Sequence, residues 1–241
     1  MIKLEKTEVM GWEAAIRGMR NPMNSWEKSD STFKETAETE AIDYSENPDG
    51  KIEKIFVQFD ALGIGPNDHE LMMKLVKGGP VHAKYRRMIV VYVDITGPLY
   101  WWKEMDTYKI GTTANSCSTM HKIHAKEFTL DDFSCEKLSH IDIGGGVGAP
   151  HQMFKNMICM LNECRELFLK TKDKAYWWQM IQLLPSSYNQ KRTVMLNYEV
   201  LAGIYESRKN HKLDEWREFC KWIEELPYSE IITGGNSDET D

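Results

Sequence analysis

Residues 108–124, YKIGTTANSCSTMHKIH, gather hydroxyls, an amide, a thiol and two imidazoles directly behind the bulky run GPLYWWKEMDT. Small polar side chains in such number serve either as an exposed loop or as a pocket wall that hydrogen-bonds a polar ligand. Cys117 is a nucleophile only where a base or cation favours its thiolate. His121 supplies a base if the segment is helical; otherwise the thiol is a small packing residue. His121 and His124, spaced as HKIH, share a face on a helix and could there hold a metal. With no carboxylate partner near them in the sequence, they read as a surface pair. Further cations come late in the chain, where Lys191 and Arg192 precede a helix ending at Arg208 and Lys209. They either complement the helix dipole or make a cationic corner for a nucleotide phosphate, because guanidinium forks match phosphate oxygens. The glycine run in IDIGGGVGAP lacks both the GK[ST] ending of a P-loop and the full GxGxxG of a dinucleotide fold. It reads as a flexible joint rather than a phosphate cradle.

These groups sit in a chain of 241 residues with 30 basic and 37 acidic side chains, a net charge of −7. That balance argues against non-specific nucleic-acid binding, which needs a surplus of cations, yet leaves room for a local basic pocket. Much of the acid lies in residues 35–53 and in the tail NSDETD. An apolar fraction of 41% with 28% charged residues is ordinary globular composition, and eight tryptophans and fourteen methionines suit a large core and interfaces. Five cysteines without a CxxC pair, a start (MIKLEKTEVMGW) with no apolar signal region, and no run near the ~18 apolar residues of a membrane span predict a reduced, cytoplasmic protein with no membrane partner.

The elements that must position these groups follow from periodicity and punctuation. Residues 1–8 predict a short strand, and 9–20 a helix ended by Asn21-Pro22, since the residue before proline leaves the α region. Residues 24–53 predict a long polar loop, with a helical turn around KETAETEAI. KIFVQFDAL is a strand or the lead-in to the next helix. Pro66-Asn67-Asp68 opens a helix over HELMMKLVK, and Gly78-Gly79 stop it. The β-branched run at 85–96 predicts a long strand, broken by Gly97-Pro98, after which a helix carries LYWWKEMDTYK. A short acidic helix is expected at 129–139. Helices are then expected over MFKNMICMLNECRELFLKTK, KAYWWQMIQLL, RTVMLNYEVLAGIYESRK and LDEWREFCKWIEEL, the last ended by Pro227. Strands that precede most of the helices argue for α+β rather than repeating βαβ units.

The order of these landmarks resembles that of the flavin-dependent thymidylate synthases. That family opens with a strand and a helix in the style of VMG…R, as VMGWEAAIRGMR stands at 9–20. A glycine-ended helix and a histidine ahead of a long strand follow, as in LMMKLVKGGPVH with His82, and the strand ends in a helix-starting proline, as in VYVDITGPLYWW. The family's RHR triplet stands here as Thr107-Tyr108-Lys109. Its SxNExSxRY signature stands as TANSCSTMH, residues 113–121. Asn115 and Ser118 match; Thr113 replaces the first serine, Ser116 the glutamate, Met120 the arginine and His121 the tyrosine. Later, Leu184-Pro185, Lys191, Asn197 and Arg208 match a Leu-Pro, a basic residue, an asparagine and a helix-ending arginine, while Glu199 stands where the family has a second arginine. The likeness spans residues 8–230 apart from 24–60 and rests on spacing and topology more than on identity.

The resemblance implies a small, mostly antiparallel sheet packed with about six helices, in one α+β domain over residues 1–231 with a polar insertion near 24–60 and a disordered polar tail at 232–241. It implies a pyrimidine nucleotide of the dUMP kind as ligand, FAD as cofactor, and a homotetramer with pockets shared between subunits. His82, Asn197 and Lys109 would meet the flavin; Asn115, Ser118, Lys191 and Arg208 would meet the nucleotide. If activity is retained, it is one-carbon transfer to the pyrimidine ring, reduced through the flavin and fed by methylenetetrahydrofolate and NADPH. The other reading keeps the fold and loses catalysis, leaving a nucleotide-binding protein or an oligomeric scaffold. Replacing Arg-His-Arg removes at least one charge and the bidentate geometry, at ~1.5–3 kcal/mol for each lost charge-assisted bond. Lys103, Lys109, Arg86, Arg87 and Lys191 are the candidate replacements.

Overall fold

The computed structural model describes residues 2–34, 39–42, 54–57 and 61–234. In chain order its elements are β1 (Lys3–Met10), α1 (Trp12–Arg20), β2 (Thr32–Lys34), β3 (Thr39–Ile42), β4 (Lys54–Val57), β5 (Ala61–Gly63), α2 (Pro66–Lys77), β6 (Val90–Pro98), α3 (Leu99–Met105), β7 (Thr113–Ser116), α4 (Pro150–Thr171), α5 (Lys174–Leu183), β8 (Asn189–Asn197), α6 (Tyr198–Arg208), α7 (Asp214–Glu224) and α8 (Glu230–Thr233). The class is α+β as expected, a small antiparallel sheet packed with helices, eight of them among the described residues where about six were foreseen.

The main sheet runs β1-β6-β8-β7, every neighbour antiparallel. Side chains alternate across a strand with period two, and burial follows. Val91, Val93 and Ile95 of β6 and Val194 and Leu196 of β8 are buried on one face. Asp94, Thr96, Lys191 and Thr193 project from the other. The helices cover the apolar face. Helix α7 buries Trp216, Phe219, Cys220 and Ile223, a stripe at i, i+3, i+4 and i+7. Trp101 and Trp102 of α3 join it, with ring centroids 5.0 Å apart between Trp101 and Trp216. A second apolar cluster lies outside this core, where Ile123, Phe128 and Phe133 pack on Ile158, Leu161 and Cys164 of α4 and Met180 of α5.

Gly11 makes the turn from β1 into α1. Its φ of 93° is a left-handed conformation that favours glycine, and a Cβ there would collide with the Met88 carbonyl oxygen. Asp30 serves the start of α2 from a distance: its carboxylate accepts from the Asn67 and Asp68 backbone N–H at 3.0 and 3.1 Å. Asp68 in turn is buried and accepts from Arg20 Nε at 2.6 Å and from the Ser29 and Ser31 hydroxyls.

Several expectations are corrected. The run RTVMLN is not helical; it is the end of β8, and α6 begins only at Tyr198. Pairing with β6 along nine residues outweighs local propensity, and Asn197 marks the true helix start, its side-chain oxygen accepting from Val200 N–H at 3.0 Å. The acidic helix foreseen at 129–139 is one 3-10 turn at Leu130–Asp132, ended where Phe133 enters the second cluster and bridges Tyr188. Residues 84–87 form a 3-10 turn, so the long strand starts at Val90. The stretch TANS, read as loop or pocket wall, is strand β7. A further helix, α8, follows Pro227. Of the foreseen turn at KETAETEAI, Thr39–Ile42 is a strand paired with β4, and 35–38 lie outside the described residues. Most of the tail, 235–241, lies outside them too, while Ile232 and Thr233 belong to α8. Among the described residues no helix is long and apolar enough to cross a membrane.

Candidate functional site

Helix α3 ends at Met105, and the chain then runs through residues 106–112 into β7. Gly111, at φ 75°, passes close to the Asn197 amide, where a Cβ would not fit without displacement. Strand β7 adds to the sheet edge with Asn115 opposite Thr193 and Ser116 opposite Arg192. Ala114 and Ser116 therefore face the helix side, and Thr113 and Asn115 the open side. A cavity of about 180 Å³ lies on the helix side, lined by Trp102, Met105, Asp106, Tyr108, Lys109, Thr112, Ala114 and Val194. Trp102, Met105 and Val194 make its wall apolar. The Thr112 hydroxyl is buried and has no hydrogen-bond partner among the described residues. The side chains of Lys109, Thr113, Asn115 and Ser116 are exposed and likewise unengaged by the described residues.

The cations around this segment are, by contrast, closed onto carboxylates. Arg208 donates from Nε to the Tyr108 hydroxyl oxygen at 2.9 Å and from a terminal nitrogen to Glu104 at 2.8 Å. Its guanidinium lies 4.7 Å from the centre of the Trp216 ring. The same Glu104 oxygen accepts from Trp216 Nε1 at 2.9 Å and sits 3.6 Å from His211. Arg192 reaches Asp106 at 2.6 Å and lies 4.1 Å over the Trp102 ring. Lys191 pairs with Asp94 at 3.1 Å on the open face. There the Thr193 hydroxyl and Lys191 hold the Asp94 carboxyl below its usual range, and Asp94 in turn raises the lysine. Arg86, buried, pairs with Glu199 at 2.7 Å and donates to the Ile231 carbonyl.

The seven residues singled out from the sequence fall into three places. Lys109, Asn197 and Arg208 are strung along one flank of α6 by the 106–112 segment, through the Gly111–Asn197 approach and the Tyr108–Arg208 bond. Asn115 and Lys191 share the open face of the sheet, and Ser118 lies just past β7, where its oxygen accepts from His121 N–H at 2.9 Å. His82 stands apart and exposed between α2 and the 84–87 turn, its ring against Gly78. Asn197 has a local task as the α6 cap, and Lys191 and Arg208 each hold an acid.

The other sequence candidates are settled by backbone shape. Residues 117–124 are not helical, so Cys117 and His121 do not share a helical face. His124 packs its ring edge on Phe168 at 4.9 Å, whereas His121 is exposed, so HKIH does not converge on a metal. Among the described residues no group of three or more possible metal ligands gathers. Gly144, Gly145, Gly146 and Gly148 all have positive φ, and α4 opens at Pro150. The groove beside that loop is lined by Leu138, Ile143, Val147, Met153 and Phe154, an apolar lining without a phosphate ligand.

Two features went unread in the sequence. Reading 189–197 as a period-two strand would have placed Lys191 and Arg192 on opposite faces of the sheet. It would then have put Arg192, not Lys191, beside Trp102. The Tyr108–Arg208–Glu104 chain spans three elements and leaves no spacing signal.

No protein-family model matches the chain, and no curated protein matches it in sequence. Solved structures do match. Flavin-dependent thymidylate synthase ThyX from Helicobacter pylori, complexed with FAD and dUMP, aligns at TM-score 0.62 and 15% identity over 95% of this chain and 96% of that one. The UMP/dUMP methylase PolB from Streptomyces cacaoi, bound with 5-Br UMP, aligns at TM-score 0.58 and 11% identity over 98% and 95%. At such identities the likeness establishes architecture, and it runs through nearly the whole of all three chains. By its fold, this chain is a remote structural relative of the flavin-dependent thymidylate synthases.

Proposed function

We propose that this chain binds a pyrimidine nucleotide of the dUMP kind, with residues 108–118 as its recognition segment. The observation that carries the reading is the contrast within that segment. Its backbone is pinned by β7 pairing and by the Tyr108–Arg208 bond, while Lys109, Thr112 and Asn115 keep polar groups without partners among the described residues. Pinned backbone with idle donors is what a polar ligand needs, because little ordering cost remains at binding. The structural relatives carry dUMP or 5-Br UMP, which supports the class of ligand. Lys109 offers a charge and Thr112 a hydroxyl to the cleft on the helix side, whereas Asn115 on the open face and Ser118 past β7 would meet a nucleotide held from that other face. Lys191 and Arg208 act only if they exchange their present carboxylates for the ligand.

FAD fits less well. Its pyrophosphate needs cations side by side. Of the five proposed replacements for the missing arginines, Arg86 and Lys191 are paired with acids, and only Lys109 lines the cavity. Within one protomer the described residues do not fit the cofactor, and no step is routed through it; His82, Asn197 and Lys109 remain the proposed flavin neighbours if a tetramer assembles the pocket. A second reading, nucleotide binding without methyl transfer, is favoured by Glu199 closing on Arg86 where the family has an arginine. NADPH and methylenetetrahydrofolate enter only if methyl transfer survives. The same proposal takes residues 1–231 as one domain and the assembly as a homotetramer.

Thermal shift separates the readings. Saturating dUMP should raise the melting temperature by several degrees, since a ligand at about 100 times its Kd adds ~2.7 kcal/mol. Flavin absorbance in the purified protein, or a further shift with FAD, supports the catalytic form. No shift with dUMP, UMP or FAD overturns the nucleotide reading.

A further inference from the structure

We propose that Arg192 is an anion-binding residue held in reserve by Asp106, and that a phosphate monoester entering the cleft takes the place of that carboxylate. The nature of the ligand rests on the nucleotide reading above; the switch rests on residues that reading does not use. Arg192 lies on the helix side of β8, with only 14% of its side chain exposed. Its guanidinium is stacked 4.1 Å over Trp102. Its Nε donates to Gln190 Oε1 at 3.0 Å, and the Gln190 amide donates to the Cys117 carbonyl at 2.8 Å. Trp102 is itself fixed, its indole N–H donating to the Gln190 carbonyl at 3.0 Å. The guanidinium is therefore set in place from its ring face and from one edge.

The remaining partner is unlike the others. Asp106 closes the α3 C-terminus with a side chain 54% exposed, and its carboxylate has no second partner among the described residues. An exposed carboxylate gives up such a pair at little cost because water takes it back. The stacked arginine cannot follow it out. The pair accordingly opens on the acid side, leaving a positioned fork that suits two phosphate oxygens. Asp106 and Trp102 line the same cavity as Lys109, so opening the pair brings a second cation to the same cleft, matching the charge of about −1.5 to −2 on a phosphate monoester. Arg208 is not equivalent. Its acid, Glu104, is also held by Trp216 and approached by His211, so that pair stays shut.

The test uses the full-length protein and compares dUMP with deoxyuridine, which differ only by the phosphate. Asp106→Asn should tighten dUMP by about tenfold, the worth of one charge-assisted bond, and leave deoxyuridine unchanged. Arg192→Gln should abolish the advantage of dUMP over deoxyuridine, with circular dichroism confirming that it folds. Inorganic phosphate should compete with dUMP in Asp106→Asn more strongly than in the wild type. If dUMP binds the wild type and its advantage is the same in both variants, the proposal is wrong although the nucleotide reading stands. If no pyrimidine binds but Asp106→Asn gains affinity for inorganic phosphate that Arg192→Gln lacks, the anion site stands and the nucleotide reading falls. If phosphate-bearing and phosphate-free probes fail alike in every variant, the proposal is overturned.

Discussion

Glu199 stands where the resemblance implies an arginine, and its contact with Arg86 has a consequence at the scale of single residues. An arginine there would face Arg86, which is buried and already donates to Glu199 and to the Ile231 carbonyl. Glu199 and Arg86 are thus matched to each other across two elements, α6 and the 84–87 turn. Removing one member of a buried pair strands the other charge, at about 3–5 kcal/mol. The partial exposure of Glu199 places the effect near the lower end. Glu199→Gln should therefore lower stability by about 2–3 kcal/mol in urea unfolding, because the amide oxygen still accepts a bond. Glu199→Arg, which installs the arginine that the resemblance implies, should cost more than Glu199→Gln and gain no nucleotide affinity. Equal stability of the arginine variant and the wild type would mean that Arg86 has another way to bury its charge.

At the scale of elements, legibility in the sequence tracked how local the determinant is. Helix α7 is written in its own apolar stripe, and Pro98 announces α3, so both were readable. Strand β8 was not. Its residues suit a helix as well as a strand, and the decision is made by β6, some 100 positions earlier in the chain. The likeness of fold was readable because landmarks such as Gly78-Gly79, Gly97-Pro98 and Leu184-Pro185 fix where elements end. The candidate site was legible only in part: residue types in 108–118 were visible, but the misread of β8 hid which cation lies beside them. Gly11 offers a check on such a landmark. A side chain there meets both a left-handed φ and the Met88 carbonyl, so β1 and α1 cannot keep their present angle. Gly11→Ala should cost about 2–4 kcal/mol, read as a lower melting temperature. A loss within about 0.5 kcal/mol, the usual surface effect, would show that the turn relaxes freely.

At the scale of the whole molecule, α4 presents apolar side chains that the core does not use. Helix α4 spans 22 residues, about 33 Å at 1.5 Å per residue. Its inner side feeds the second apolar cluster through Ile158, Leu161 and Cys164. Met153, Met160 and Leu167 stand at seven-residue intervals on its outer side, 48%, 48% and 41% exposed. Ile141, Ile143 and Val147 continue the apolar surface past the helix start. A stripe that repeats every seven residues keeps one seam in register along a facing helix, and exposed apolar side chains gathered along one helix face suit an interaction site. A second copy of the chain presents the same stripe, so antiparallel pairing of two α4 helices satisfies both at once, as a two-fold interface requires. Met160, at the middle of the stripe, would then meet its own counterpart near the symmetry axis. Met160→Glu places two like charges there in apolar surroundings. Light scattering should then show the variant at a smaller mass than the wild type, with an unchanged circular dichroism spectrum, because Met160 contributes little to its own core. A wild type that is already monomeric, or a variant of the same mass as the wild type, would leave the stripe without a self partner. It would also remove the shared pocket that the proposed flavin binding requires.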